Sequence, residues 1–392
     1  MKLKMSRLVP ALLAAGLLTI GGIAAQSDET GDPLGCIIQN ENPVDPQTLP
    51  DNMRLIIQSP PNSLVDDELY LVNPKDNTRQ LIPDSVGEPL LFDNATRLVL
   101  IRAVEYGGEE EIVTTNLDGT NSATVLVDEH SYYVFYDFLT NNRLLYFYEG
   151  FWALDLESGE RVALEVPEFR DPVLSLSSDD TYFVGYRYDP TAQWVAYWAY
   201  QIDENGEHLD DQPRILRIQN VATDEFTDIE PGIPPDEPVG FVWNGSPGYL
   251  YVSRLFASDF MIFDVSDGHL IEAVIPPAPF DGLFITEMAE SPDRRLMAVY
   301  YTDYPLLGRV GIYDLIQHTW LPICFQLRYR MYFDLGNDIM FWTPDGRYIW
   351  WLEWVDEWKH LYNLVLVDIE TGTYGVIAEN VGRRSRIGFL DE

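Results

Sequence analysis

The chain has 392 residues, of which 63 are acidic and 25 basic, giving a formal net charge of −38. A surface so negative repels phosphate backbones and anionic lipid, which argues against nucleic acid and membrane surfaces as partners. Two cysteines exclude a disulfide-dense scaffold, and 46% hydrophobic residues with 13% aromatic ones leave ample material for a packed core.

The first 25 residues place Lys2, Lys4 and Arg7 ahead of an apolar run from Leu8 to Ala25, which ends in small residues before Asp28 and Glu29. This pattern predicts an export signal cut near Ala25, since Pro10 and glycines break the run and suit a retained anchor poorly. The expected compartment is secreted or periplasmic. Residues 26–52, rich in Pro, Asn, Gln and acid, read as an extended strap. An even cysteine count in an exported chain predicts a disulfide between Cys36 and Cys324. Lipidation of Cys36 is the rival, but acidic residues separate it from the apolar run. Fully extended, the stretch from Cys36 to Arg54 reaches up to about 60 Å, so such a bridge is feasible.

From residue 53 onward one unit recurs. A turn opened by an Asp or Asn side chain follows an apolar strand at Asn73, Asn116, Asp155, Asn220, Asp264, Asp314 and Asp368, with intervals of 39 to 65 residues. Asx residues and glycine suit such turns by side-chain capping and by positive φ, respectively. The spacing approximates one propeller blade, roughly 40 to 50 residues, except where the fourth unit is longer. An earlier turn recurs at Asp93-Asn94, Asn141-Asn142, Asp179-Asp180, Asn244-Gly245, Ser291-Pro292-Asp293 and Thr343-Pro344-Asp345-Gly346. The first unit lacks its opening strand, whereas the tail Ile387–Asp391 is a strand without a unit. The tail is therefore predicted to complete blade one and close an all-β, seven-bladed propeller over residues 53–392. Second strands such as Arg97–Ile101, Arg143–Tyr148 and Tyr348–Leu352 are apolar on successive residues, as sheets covered on both faces require.

Thr343 to Arg347 with Asp368 to Gly372, and Ser291 to Arg294, resemble the TolB-type, WD40-like propeller repeat. The resemblance spans roughly residues 52–392. It departs from TolB in having no α/β domain ahead of the propeller, and it lacks the hydrolase domain that similar repeats accompany in prolyl-oligopeptidase-like enzymes. It implies a fold and hardly any activity.

No Gly-x-Ser-x-Gly elbow, His-Glu-x-x-His pair, phosphate-binding loop or Cys-x-x-Cys occurs, and the five histidines lie in different units. Among 63 carboxylates, pairs at hydrolase separation arise by chance. Asp203 to Asp210 misses the calcium-loop spacing and reads as an acidic hairpin tip. No cofactor or metal is expected. The informative departure is Asp189 to Pro213, read as an insertion between the second and third strands of unit four that carries an aromatic hairpin, Gln193–Tyr200. With the equivalent loops of other units it marks one ring face and the candidate binding residues Tyr106, Trp194, Tyr197, Trp198, Tyr304 and Trp358. The expectation is a monomeric, non-enzymatic binding or scaffold propeller for a peptide, glycan or protein partner. The alternative is an extracellular polysaccharide hydrolase or lyase, marked by inward carboxylates with a histidine or metal at the central channel.

Overall fold

The computed structural model describes residues 36–390 except 40, 60–67, 83–88, 93–94, 104–109, 129–133, 140–141, 148–150, 165–173, 177–185, 190, 206, 208, 210–211, 213–214, 224, 233–238, 244–247, 255–256, 281, 303–307, 328–339 and 357–359. The expected export signal lies outside the described residues. Among those described, no helix is long and apolar enough to cross a membrane.

Seven small antiparallel sheets form the ring. Blade one takes Arg386–Phe389, Met53–Gln58, Leu69–Val72 and Arg79–Leu81, and blade two Pro89–Phe92, Arg97–Ala103, Glu110–Asn116 and Ala123–Asp128. Blade three takes Val134–Leu139, Arg143–Phe147, Phe151–Asp155 and Arg161–Leu164, and blade five Val239–Trp243, Tyr249–Arg254, Phe260–Asp264 and Leu270–Val274. Blade six comprises Phe284–Glu290, Leu296–Thr302, Gly308–Asp314 and Thr319–Leu327, and blade seven Met340–Trp342, Tyr348–Asp356, Leu361–Asp368 and Thr373–Val381. First strands lie innermost: those of blades five, six and seven touch one another, while fourth strands such as Arg79–Leu81 are exposed throughout.

The core is divided among the blade interfaces, one apolar cluster to each. Tyr251, Phe260, Met297 and Tyr301 pack blade five on six, Ile312, Phe325, Trp351 and Val365 pack six on seven, and Trp350, Leu366, Met53 and Ile387 pack seven on one. Four further clusters serve the other interfaces. Both faces of a middle strand are therefore covered, and every residue of Leu296–Thr302 and Gly308–Asp314 is buried. Closure is as the tail predicted. Met53 pairs with Phe389 and Ile56 with Arg386, and Phe389 N–H donates to Ala95 O of blade two at 2.8 Å.

Blade four corrects the sequence reading. Trp194–Gln201 is not part of an inserted hairpin; it is the blade's second strand, paired with Ile215–Asn220 on one side. On the other side it pairs with an inner strand split into Leu174–Leu176 and Tyr186–Tyr188. The preceding turn is Asp189–Gln193. There Asp189 N–H donates to Trp194 O at 2.9 Å and Ala192 N–H to Asp189 O at 2.8 Å, the pattern repeated by Ser291–Leu296 and Thr343–Tyr348. The expected turn at Asp179-Asp180 lies outside the described residues. The extra length falls partly between the two inner pieces and partly after Gln201.

The strap wedges between blades six and seven. Ile37–Ile38 adds a parallel fifth strand to blade six, opposite Phe325 and Gln326, and the Cys36–Cys324 disulfide locks it there with the Cα atoms 4.8 Å apart. Gln39 then donates to the buried Glu353 at 2.8 Å, and Tyr374 N–H donates to Asn42 O at 2.9 Å, both partners belonging to blade seven. With Gln47 Nε2 donating to Lys75 O of blade one at 2.6 Å, the strap ties blades six, seven and one. The Cys36→Ser/Cys324→Ser variant should stay folded but lose roughly 2 to 4 kcal/mol in urea unfolding; unchanged stability would mean that the strap adds nothing to closure.

Candidate functional site

Of the six aromatic residues singled out in the sequence, three are structural. Tyr197 is 1% exposed, packs between blades three and four and donates to Gln219 Oε1 at 2.5 Å; Trp198, 2% exposed, meets Phe241 edge-on between blades four and five. Trp194 is half-buried against the same cluster as Trp198. A second strand with two covered faces puts successive aromatic residues into successive interfaces, which the hairpin reading missed. Tyr106, Tyr304 and Trp358 lie outside the described residues, or have side chains that do.

The opposite face of the ring, where first strands turn into second and third into fourth, carries an open cavity of about 540 Å³ between blades five and six. Blade five contributes Gly248, Tyr249, Tyr251, Asp264 and Ser266. Blade six contributes Glu290, Arg294, Ile316 and His318. The size lies within the roughly 300 to 1,000 Å³ of small-ligand sites. Tyr249 is 52% exposed and Ile316 70%, whereas the residue in the place of Tyr249 in blade seven, Tyr348, is 1% exposed.

Repeat geometry positions these groups. Asp264 Oδ1 accepts from Ser266 N–H at 2.7 Å and from its hydroxyl at 2.6 Å, Gly268 N–H donates to Asp264 O, and Gly268 closes the turn at φ +72°. In blade six Asp314 opens the same turn, but the closing place belongs to His318 at φ +52°, where blades three, five and seven have glycine. Arg294 at φ +59° occupies the place of Gly346 in blade seven and of Ala192, at φ +58°, in blade four. A left-handed backbone costs a non-glycine residue roughly 1 to 2 kcal/mol. Left-handed non-glycine residues recur at such turns, at Asn77, Ala95 and Ala192; here the two are an arginine and a histidine, and both line one cavity.

The imidazole of His318 is held across the blade boundary by Glu272, Nδ1 to Oε2 2.6 Å, and Tyr313 donates to the same oxygen at 2.9 Å. Burial, and then this carboxylate, push the Tyr313 hydroxyl above the ordinary phenol range. Tyr251 donates to Glu290 Oε1 at 3.3 Å; burial, followed by the Glu290 charge, pushes its hydroxyl up, with Arg294 acting in the opposite sense. Neither tyrosine is an acid near neutral pH; both are fixed donors.

On the adjoining turn, ligand atoms of Asp264, Asp267 and His269 all lie within 4.8 Å of one another. His269 is already bound to the Asp267 carboxylate, which raises the histidine above 6.5 and lowers the aspartate. The set is exposed apart from Asp264, and it builds no enclosed metal cage. A pKa raised by folding gives a stabilisation that is complete below about pH 6.5 and is lost as pH rises through the folded value. Asp267→Asn should therefore lower the His269 pKa read from ring-proton NMR shifts; an unchanged pKa would dissolve the pair.

At the central channel the described innermost strands hold no histidine and have carboxylates only at Asp137, Glu287 and Glu290. Glu287 Oε1 accepts from Met340 N–H at 2.8 Å. The acidic tip after Gln201 is a turn capped by Asp203, whose Oδ1 accepts from Asn205 and Glu207 N–H. Because Thr191 to Asp211 contains a core strand, deleting it should abolish cooperative unfolding by circular dichroism rather than trim a binding loop; a folded deletion variant would restore the hairpin reading.

No protein-family model and no curated protein matches this chain. Among solved structures it is similar to an oligogalacturonate lyase in complex with manganese, at TM-score 0.52 and 11% identity over 83% of this chain and 84% of that one. The oligogalacturonate lyase of Vibrio parahaemolyticus is comparable, with TM-score 0.50 and 9% identity over 84% and 85%. TolB from Acinetobacter baumannii matches at TM-score 0.44 and 13% identity over 83% of this chain and 76% of that chain. At such identities the likeness shows the propeller fold alone.

Proposed function

We propose that the chain is an exported, non-enzymatic binding propeller that takes a peptide, glycan or protein partner in the cavity between blades five and six. The observation that carries this reading is the cavity itself: an exposed tyrosine and isoleucine beside fixed polar groups, among them an arginine and a histidine at left-handed turn positions that other blades give to glycine, alanine or asparagine. Apolar contact area framed by a few oriented polar groups is the general make-up of a recognition site. The disulfide and the predicted signal support export.

Enzymatic readings have less behind them. Among the described residues the innermost strands hold no histidine to pair with their carboxylates, and the lyase neighbours lend only their fold. Incubation with oligogalacturonate is accordingly expected to yield no product; measurable turnover would replace the binding role with a catalytic one.

The variant His318→Gly/Ile316→Ser removes two groups from the cavity and relieves one strained φ, so its melting temperature should match or exceed that of the parent. Immobilised mature protein should retain a partner from culture medium or periplasmic extract at least ten times better than this variant does. Equal retention by the two proteins would move the binding surface elsewhere.

A further inference from the structure

The repeat contains its own arginine receptor, and blade five has the receptor without the arginine. In blade seven Arg347 ends the turn before the second strand. Its Nη2 and Nε reach Asp368 Oδ2 at 2.6 and 3.2 Å, and its guanidinium lies over the Tyr348 ring, 5.0 Å from the centroid. Burial alone would push the Asp368 carboxyl up, but the Arg347 hydrogen bond and the N–H groups of Glu370 and Thr371 outweigh it and hold the group ionised. Arg295 repeats the pairing more loosely in blade six, 3.5 Å from Asp314.

Two backbone relations identify the equivalent atoms in blade five. Tyr249 is the partner of Asp264 across the second and third strands, as Tyr348 is of Asp368. Val265 N–H donates to Gly248 O, as Ile369 N–H donates to Arg347 O and Leu315 N–H to Arg295 O. Gly248 therefore stands where the other two blades have arginine. The aspartate and the tyrosine remain, now opening on the cavity. Asp264 Oδ1 is engaged by Ser266, and among the described residues no arginine or lysine forms an ion pair with its carboxylate; His269, bound to Asp267, lies within 4.8 Å of it. Without an arginine lying over it, Tyr249 stays half exposed.

We propose that this vacancy is a binding site for an arginine side chain presented by a peptide or protein partner, whose guanidinium takes the position between Asp264 and Tyr249 that Arg347 takes between Asp368 and Tyr348. This deepens the binding role proposed above and rests on it. Guanidinium suits the pair because its planar fork meets a carboxylate with several donors while its face stacks on an aromatic ring, which an ammonium does less well. The net charge of −38 attracts a basic partner over longer range. The blade-six wall of the cavity carries Arg294, Ile316 and His318.

The test uses the full mature chain and a random heptapeptide display library, followed by synthetic copies of the enriched peptides. Enriched peptides should carry arginine, and replacing it with citrulline, its neutral isostere, should weaken binding at least ten-fold, with lysine intermediate. Gly248→Arg should fill the vacancy from within, raising the melting temperature while abolishing binding, and Asp264→Asn should weaken binding without a gain in stability. Peptides that lose binding to Gly248→Arg but tolerate citrulline would overturn the arginine assignment and leave the cavity as the binding site. Peptides indifferent to Gly248→Arg would overturn both, as would a library that enriches nothing on the wild-type protein.

Discussion

The four pairs between Arg386–Phe389 and Met53–Gln58 are what the rest of this structure depends on. Every blade is a sheet with two apolar faces, so each needs a neighbour on both sides. An open arc would leave two such faces and two strand edges in water. Joining the two ends of the chain in one sheet removes both at once. It also makes blade one a sheet whose strands are more than 300 residues apart in sequence, Met53–Gln58 beside Arg386–Phe389. The strap reinforces the same region from outside, through the disulfide on blade six and the Gln39 and Asn42 contacts on blade seven. A molecule with this much negative charge repels itself, and a covalent tie between the strap and blade six opposes that repulsion.

A ring of near-copies also makes departures readable. Most turn residues do one job throughout: the Asx side chain caps, a glycine or small residue takes the left-handed position, and an arginine in blades six and seven answers the carboxylate. Between blades five and six several of these rules fail together. His318 and Arg294 are long side chains at left-handed positions that other blades give to glycine, alanine or asparagine, and Gly248 stands where blades six and seven have arginine. Each change taken singly is an unremarkable substitution. Their convergence on one cavity is the reason to read it as a site, because strain and a missing internal partner both cost stability that plain repeats retain.

Aromatic residues, in contrast, proved a poor guide. In a propeller the large side chains are the filling between blades, and Tyr197 and Trp198 lie in two different interfaces although they are neighbours in sequence. Their density in unit four reflected a strand with two buried faces. The Asp189-Pro190 pair just ahead of it matches Ser291-Pro292 and Thr343-Pro344, and it was the available sign that a second strand begins at Trp194.

By itself the sequence determined what is local and periodic: the turns, because Asx side chains and glycines act within five residues; the covered strands, because their composition reports both faces; the blade count, because turns recur; and the closure, because one end lacked the strand that the other had to spare. Tertiary structure decided what depends on register between distant segments. It assigned Trp194–Gln201 to a core strand, brought Glu272 to His318, and set Tyr249 opposite Asp264 beside a glycine. No linear pattern marks Gly248 as an absent arginine. That becomes visible only when hydrogen bonds superpose one blade on another, since position within a sheet is defined by pairing rather than by distance along the chain.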